Sequence, residues 1–300
     1  MATNQAGTRG LAPSWSGVSI TPARQAFRAL KRKPLGFAGL VILLGIGFAA
    51  VFAPLIAPYG YAEVDFVYRL KGPSWDHLLG PDNLGRDSFS RILYGSRISL
   101  GISFTAVLLA KATATAIGIV SGYYGGWFDK IFQRFVDVWI SLPTLIILVS
   151  VISILGPGIM GLTAIIALAV TASSSRLVRS VVLQVRGEAY VEAALSMGAK
   201  DSRIMLRHIF PNVTHIVIYS STVSLGSTIL IVASLGFLGY GVPPPHPDLG
   251  GMLSGDGLTN MRRQPWLAIG PGAVITAIVF SFNVFGDALR DMLDPKLRGR

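Results

Sequence analysis

Five stretches of this chain run for twenty or more residues with at most one charged side chain, and no other feature constrains its fold as strongly. They are Leu35 to Ala57, Ile98 to Ser121 (interrupted only by Lys111), Val138 to Ser175, Val213 to Gly236 and Trp266 to Gly286. A helix needs about 20 mainly apolar residues to cross the hydrocarbon of a bilayer, so each stretch holds at least one crossing. Val138 to Ser175 is long enough for two, with Gly156-Pro157-Gly158 as the turn between them. The expectation is an all-α integral membrane chain of six spans, with Trp139 and Trp266 near span ends as interfacial anchors.

Composition agrees. Of 300 residues 51% are hydrophobic and 14% charged, with a mean hydropathy of +0.57 in the chain, far from a disordered composition. The absence of cysteine excludes disulfide scaffolds, thiolate metal sites and redox motifs. A net charge of +11 could suggest a nucleic-acid partner, but the bases punctuate apolar runs instead of gathering on one face, and only three glutamates oppose them. No nucleic acid is expected.

Lysine and arginine set the orientation, because basic loops are retained on the cytoplasmic side. With six spans and the N-terminus inside, eighteen bases fall in the cytoplasmic segments and seven in the outer loops, so both termini are expected in the cytoplasm. A cleaved signal peptide is the competing reading of the first run, but its 23 uncharged residues exceed the usual apolar core of about 7 to 15. Met1 to Ser19 is polar and reads as a mobile tail.

The chain has no phosphate-cradling Gly-x-x-x-x-Gly-Lys-Ser/Thr, no His-Glu-x-x-His and no Gly-x-Ser-x-Gly. Binding of ATP or hydrolysis by this chain alone is therefore not expected. His77, His208, His215 and His246 are scattered and read as surface or loop residues, not a metal site.

The segment Arg176 to Asn212 is longer than a connection between neighbouring spans requires. Within it Tyr190, Ala193, Ala194 and Met197 fall at i, i+3, i+4 and i+7, one stripe on a short helix. Gly198 can close that helix in a left-handed cap, Asp201 can cap the next, and Pro211-Asn212 is expected to stop it before the fifth span. A short helix with a small-residue face suits docking into another protein's groove; the alternative is a helix lying in the lipid interface.

Glu192-Ala193-Ala194, three residues, Gly198 and then Pro211 thirteen further on resembles the "EAA" loop of the membrane subunits of binding-protein-dependent ABC importers. The resemblance extends to the C-type permease of dipeptide, oligopeptide and nickel importers through Arg28 to Pro58, LGPDNLGRDSFSRILYGSRISL at Leu79 to Leu100, LGFLGYGV at Leu235 to Val242, and GDALRDMLDPKLR at Gly286 to Arg298. It implies a type I importer permease (MetI-like) fold with a cytoplasmic coupling helix, in a bacterial inner membrane. Residues 1–34 would be a cytoplasmic tail, 35–57 the first span and 58–97 an extracytoplasmic loop with an amphipathic helix. Residues 98–290 would form a core of five spans with the coupling loop 176–212, and 291–300 a cytoplasmic tail. The implied partners are a similar second permease, two ATPase subunits that carry ATP and magnesium, and an extracytoplasmic solute-binding protein. The implied coupling residues are Glu192, Ala193, Ala194, Gly198 and Pro211. No cofactor is implied for this chain itself, and a peptide or related small solute is the expected cargo.

Other features stand beside that resemblance. Gly85 to Arg97 reads as an amphipathic helix on the outer surface, with Phe89, Ile92 and Leu93 on one face and Asp87–Arg91 an i, i+4 ion pair. It either anchors span two or receives the binding protein. The run Pro243-Pro244-Pro245-His246-Pro247 reads as stiff and extended, a rigid connection or part of an outer gate. Leu249, and Ser173-Ser174-Ser175, depart from residues common in the family. Lys111 lies near the middle of span two, where a bare ammonium costs several kcal/mol, and so needs a partner. It is a candidate for the substrate path; the alternatives are pairing at a protein interface and snorkelling. The rival to a permease subunit is an autonomous secondary transporter or channel, which would call for internal repeats, intramembrane ion ligands or broken helices; apart from Lys111 and boundary acids such as Asp137, Asp248 and Asp287, the spans offer few such groups.

Overall fold

The computed structural model describes residues 33–293. The expected N-terminal tail, the bases before Lys33 and those from Lys296 onward lie outside the described residues. Helices follow one another as α1 (Pro34–Val51), α2 (Ala53–Ile56), α3 (Ser88–Tyr124), α4 (Gly126–Ser141), α5 (Thr144–Leu155), α6 (Ile159–Arg186), α7 (Ala189–Ser196), α8 (Asp201–Phe237), α9 (Leu249–Met252) and α10 (Trp266–Leu293). No strand forms among the described residues.

Five of these helices, α1, α3, α6, α8 and α10, are long and apolar enough to cross a membrane. The third expected span departs from a straight crossing. Its first residues, Val138 to Ser141, end α4, which begins at Gly126 inside the expected loop after span two, and the rest is α5; the two helices bend by 94°, and only as a broken pair do they make a sixth. The cause is Pro143: it holds Leu142 extended (ψ 143°) and has no N–H to continue the helix. The 12 residues of α5 reach about 18 Å, short of a hydrocarbon core of about 30 Å.

Helix ends also depart from the limits of the apolar runs. The expected loop Arg176 to Asn212 is largely helix, because α6 continues to Arg186 and α8 begins at Asp201. Pro211 does not stop α8. A π-helical turn at Met205–Ile209, where the Phe210 amide reaches the Met205 carbonyl, shifts the hydrogen-bond register just before the proline and lets the helix run on. At the end of the bundle expected to face outward, named the outer end with the α7 end as the inner one, the helix expected over Gly85 to Arg97 begins at Ser88 and is continuous with span two. Its Ile92 and Leu93 are buried in protein. The proline run turns at Pro244–His246 instead of extending, and its Pro244–Pro245 peptide is cis.

The core sits in three layers along the bundle. Ala106, Ala110, Leu148, Ile152, Leu162, Ile166 and Leu235 fill the middle; Trp139, expected as a boundary anchor, is half-buried against this layer, whereas Trp266 is exposed. Ile92, Ala233, Leu249 and Ile275 fill the outer end. Tyr123, Val178, Val182, Val191, Ile204 and Ile209 belong to the inner end. Close approach of α3 to α6 depends on Gly118 and Gly122, spaced four apart: a Cβ at either would come within 2.7–2.8 Å of Val178 or Val182.

Candidate functional site

The candidate coupling segment stands clear of the apolar bundle on two helical stalks. α6 is 28 residues, about 42 Å, and α8 is 37 residues, about 55 Å, so both outrun a hydrocarbon core of about 30 Å. Their extensions carry α7 between them. Val191 and Ala194, at i and i+3, form its inward face and are buried with Val182, Ile204 and Ile209. Helix α7 closes in a Schellman motif: the Ala199 amide reaches the Ala194 carbonyl at 3.0 Å and the Gly198 amide the Leu195 carbonyl at 2.9 Å. Gly198 has the left-handed φ of 76° that this motif requires.

The expected stripe is therefore split between two faces. Ala194 points into the bundle, while Tyr190, Ala193 and Met197 form an outward row at i, i+3 and i+7, with Met197 81% exposed. Glu192 is exposed beside that row. Of the five residues drawn from the resemblance, Glu192, Ala193, Ala194 and Gly198 share one helix and turn, whereas Pro211 lies across on α8. A side-chain bond joins the two parts: the Asn212 amide donates to the Tyr190 hydroxyl at 3.1 Å and to the His208 carbonyl at 2.6 Å. Burial and the neighbouring Glu188 carboxylate raise the Tyr190 phenol above its ordinary value, which keeps the hydroxyl neutral.

Two inner-end links were not anticipated from sequence. The Tyr123 hydroxyl donates to Asp201 at 2.8 Å, which ties α3 to the start of α8. Asp201 is the first residue of that helix, not its cap, which is Lys200. Asp129 on α4 accepts both guanidinium arms of Arg179 on α6 and the Ser121 hydroxyl of α3. Asp129 is the one acid among the aromatic and aliphatic residues opening α4, a signal that could have flagged it.

Lys111 lies elsewhere, thirteen residues and about 20 Å along α3 from Tyr124. It is 6% exposed. Its ammonium donates to the Ser174 hydroxyl of α6 at 2.9 Å and the Ser220 hydroxyl of α8 at 3.1 Å. Ser174 belongs to the serine run noted above as a departure from the family pattern.

At the outer end, a cleft of about 530 Å³ opens between the segment after α2 and the loop after α8. Arg91 reaches Asp82, at 3.6 Å, and the Tyr61 carbonyl, not Asp87 as the i, i+4 spacing suggested. Asp87 instead caps α3 through the Ser90 amide at 2.7 Å and meets His77 at 3.0 Å. His77, expected as a surface or loop residue, lies in the loop before α3 but is buried there, flanked by Tyr59 and Tyr68. Asp248, 5% exposed, accepts the amides of Gly250 and Gly251 at 3.3 Å, while Gly236 and Gly241 leave room for its carboxylate. Burial pushes the Asp248 carboxyl up to about 6 despite amide bonds that favour its charge. Among the described residues no group of three or more histidines, aspartates and glutamates could hold a metal.

Long apolar helices, stalks that outrun the bilayer and an outward-facing turn between them define a class: a multi-pass, all-helical membrane protein. The profile of a family described as "Binding-protein-dependent transport system inner membrane component" matches residues 114–299. The N-terminal TM domain of oligopeptide transport permease C matches residues 21–73. A dipeptide transport system permease protein of Alkalihalophilus pseudofirmus is 40% identical over 93% of this chain and 92% of its own length. One of Haemophilus influenzae is 38% identical over 93% and 96%. A glutathione transport system permease protein of Pectobacterium atrosepticum is 42% identical over 93% and 92%. The chain belongs to the family of binding-protein-dependent transport system inner membrane components, and is a permease subunit of an ABC importer. That is a family of transport subunits and not of enzymes.

Proposed function

We propose that this chain forms, with a similar second permease, the path by which an ATP-driven importer brings peptides or related small solutes through a bacterial inner membrane. Both termini are cytoplasmic in this reading, which the distribution of bases favours. ATP and magnesium belong to two partner ATPase subunits, and an extracytoplasmic binding protein delivers the solute. Relatives named for dipeptides and for glutathione support short peptide-like cargo.

The observation that carries the proposal is the outward row Tyr190, Ala193 and Met197 on a helix that two stalks hold beyond the apolar bundle. A partner groove receives that row, with Glu192 at its edge. The Gly198 turn and the Asn212–Tyr190 bond pass the partner's movement to α8, and Pro211 sits at the junction. Lys111 ties α3, α6 and α8 together in the resting bundle; a role in the solute path requires one of these helices to move and release its ammonium.

Affinity purification of the tagged chain at native expression is expected to recover a second permease, ATPase subunits and a binding protein. Ala193→Trp is expected to abolish uptake and solute-stimulated ATP hydrolysis while the chain still reaches the membrane. Transport by the chain alone in liposomes without ATP would overturn the reading in favour of an autonomous transporter. For Lys111, unchanged apparent affinity and rate for an anionic solute in Lys111→Met would remove the path role.

A further inference from the structure

We propose that α4 is a membrane-surface helix that binds anionic phospholipid, one exposed arc seated in the acyl chains and the adjoining arc on the headgroups. The proposal rests on the chain's crossing of the bilayer and not on the importer reading.

Helix α4 has three sides. At 3.6 residues per turn, buried Asp129 and Val136 fall together and mark the side held by protein. Trp127, Phe128, Phe135 and Val138 are all exposed and share an arc of about 100°. Lys130 and Arg134 are also exposed and occupy a separate arc beside it, with Asp137. A helix in water would not leave a Trp 76% and a Phe 70% exposed on one arc, and a helix inside the hydrocarbon would not carry the second arc. One environment has both: the boundary between acyl chains and headgroups.

The ion pairs place α4 at that boundary. Arg176 and Arg179, its partners, lie 17 and 20 residues beyond Ile159 at the start of α6, about 26 and 30 Å along the helix. That is the thickness of the hydrocarbon core, about 30 Å. From Asp129 to Asp137 α4 advances about 12 Å, whereas the paired arginines are only about 4.5 Å apart along α6. Helix α4 therefore runs across α6, and it bends by 94° against α5. The charged groups on the headgroup side are Lys130, Arg134 and Arg176 against the single carboxylate of Asp137, and Arg134 reaches that carboxylate only at 4.0 Å. The excess is positive and fits a phosphatidylglycerol headgroup better than a zwitterionic one.

The chain lacks cysteine, so single labels can be introduced into the full chain purified with its partners. Spin labels at Phe135→Cys and Arg134→Cys would be read in nanodiscs of phosphatidylcholine and phosphatidylglycerol. The Phe135 label is expected to relax with oxygen and to be shielded from a water-soluble nickel chelate, with the reverse at Arg134. A Phe135 label shielded from both reagents would show a protein partner on this arc and overturn the proposal. So would one open to nickel. The double variant K130Q/R134Q is expected to lose, several-fold, the preference for phosphatidylglycerol among lipids retained through purification. Both positions are exposed, so the same elution profile as the parent certifies the fold, and an unchanged lipid ratio would overturn the headgroup assignment.

Discussion

The two ends of the bundle are finished in opposite ways. At the outer end the chain satisfies itself: Asp82 serves Arg86 at 2.6 Å and Arg91, Asp87 serves His77 and the Ser90 amide, and Asp248 fills the space that Gly236 and Gly241 leave. At the inner end buried contacts stop one layer short. Val191 and Ala194 are covered, but Ala193 and Met197 face outward beside Tyr190, which only Asn212 and His208 of α8 partly cover, and α4 adds exposed Trp127 and Phe135. Apolar side chains stay exposed at the outer end too, Trp75 at 97% and Val67 at 72%, but they stand in the segment between α2 and α3, whereas the inner row lies on one helix face, the form that a partner's groove receives.

The contrast makes the outer end the more fragile to added volume. Gly236→Ala places a methyl on the Asp248 carboxylate, which is itself buried and cannot step aside. We expect a loss of about 3 kcal/mol, read as a lower melting temperature in nanodiscs and poor accumulation in the membrane. The double variant G236A/D248A should recover part of that loss, because the colliding group is gone; a full additive loss would mean that the methyl collides with something else.

The inner end should instead be fragile to lost charge. Arg179→Ala leaves Asp129 buried with only Ser121 for company, at an expected cost of about 3 kcal/mol. Replacing both partners, D129N/R179M, should cost less than the single change. An equal cost would show that the pair matters for packing and not for charge.

A smaller effect separates the ends by pH. The Asp248 carboxyl titrates at about 6 in the folded chain against an ordinary 3.8. Between those values the folded state keeps a proton that the unfolded state has released, so its contribution is full below about pH 3.8 and is lost as pH rises towards about 6. Asp256, raised by burial and by Asp82, has the same sign. The test is therefore a difference: the melting temperature of Asp248→Asn should fall less between pH 4 and 7 than that of the parent chain. Parallel curves would mean that Asp248 is already charged in the fold.

How much of this was legible depended on what each residue reports. Uncharged runs located the crossings, because hydropathy senses the solvent around a segment. It says nothing about where a backbone stops being helical, so Arg176 to Arg186 read as loop although it continues α6. Leu142-Pro143 carried the break in the third span, but the apolar residues around it hid the signal. Periodicity placed Tyr190, Ala193 and Met197 on one face without saying that the face looks outward; Val191, not in that stripe, holds the inward side. The i, i+4 rule paired Asp87 with Arg91, and His77 and Asp82, brought in by the loop before α3, replaced both partners. Lys111 was legible as a residue in need of a partner, while Ser174 and Ser220, 63 and 109 residues away, were visible only in the fold.

The smallest effect tests whether the inner end depends on all its ion pairs or only on the buried one. Lys33, just before α1, meets Asp291 near the end of α10, and both side chains are 40% or more exposed. Water screens such a pair and two flexible side chains must be held still to make it, so Lys33→Ala should cost no more than about 0.5 kcal/mol. Close packing of α1 on α10 at Gly39, where a Cβ would stand 2.9 Å from the Ser281 carbonyl oxygen, keeps the two helices together without the pair. If Lys33→Ala lowered the melting temperature as far as Arg179→Ala does, the division between a buried clamp at Asp129 and incidental surface charge would be wrong. The inner end would then have to be understood as a single charged network running from Lys33 to Arg179.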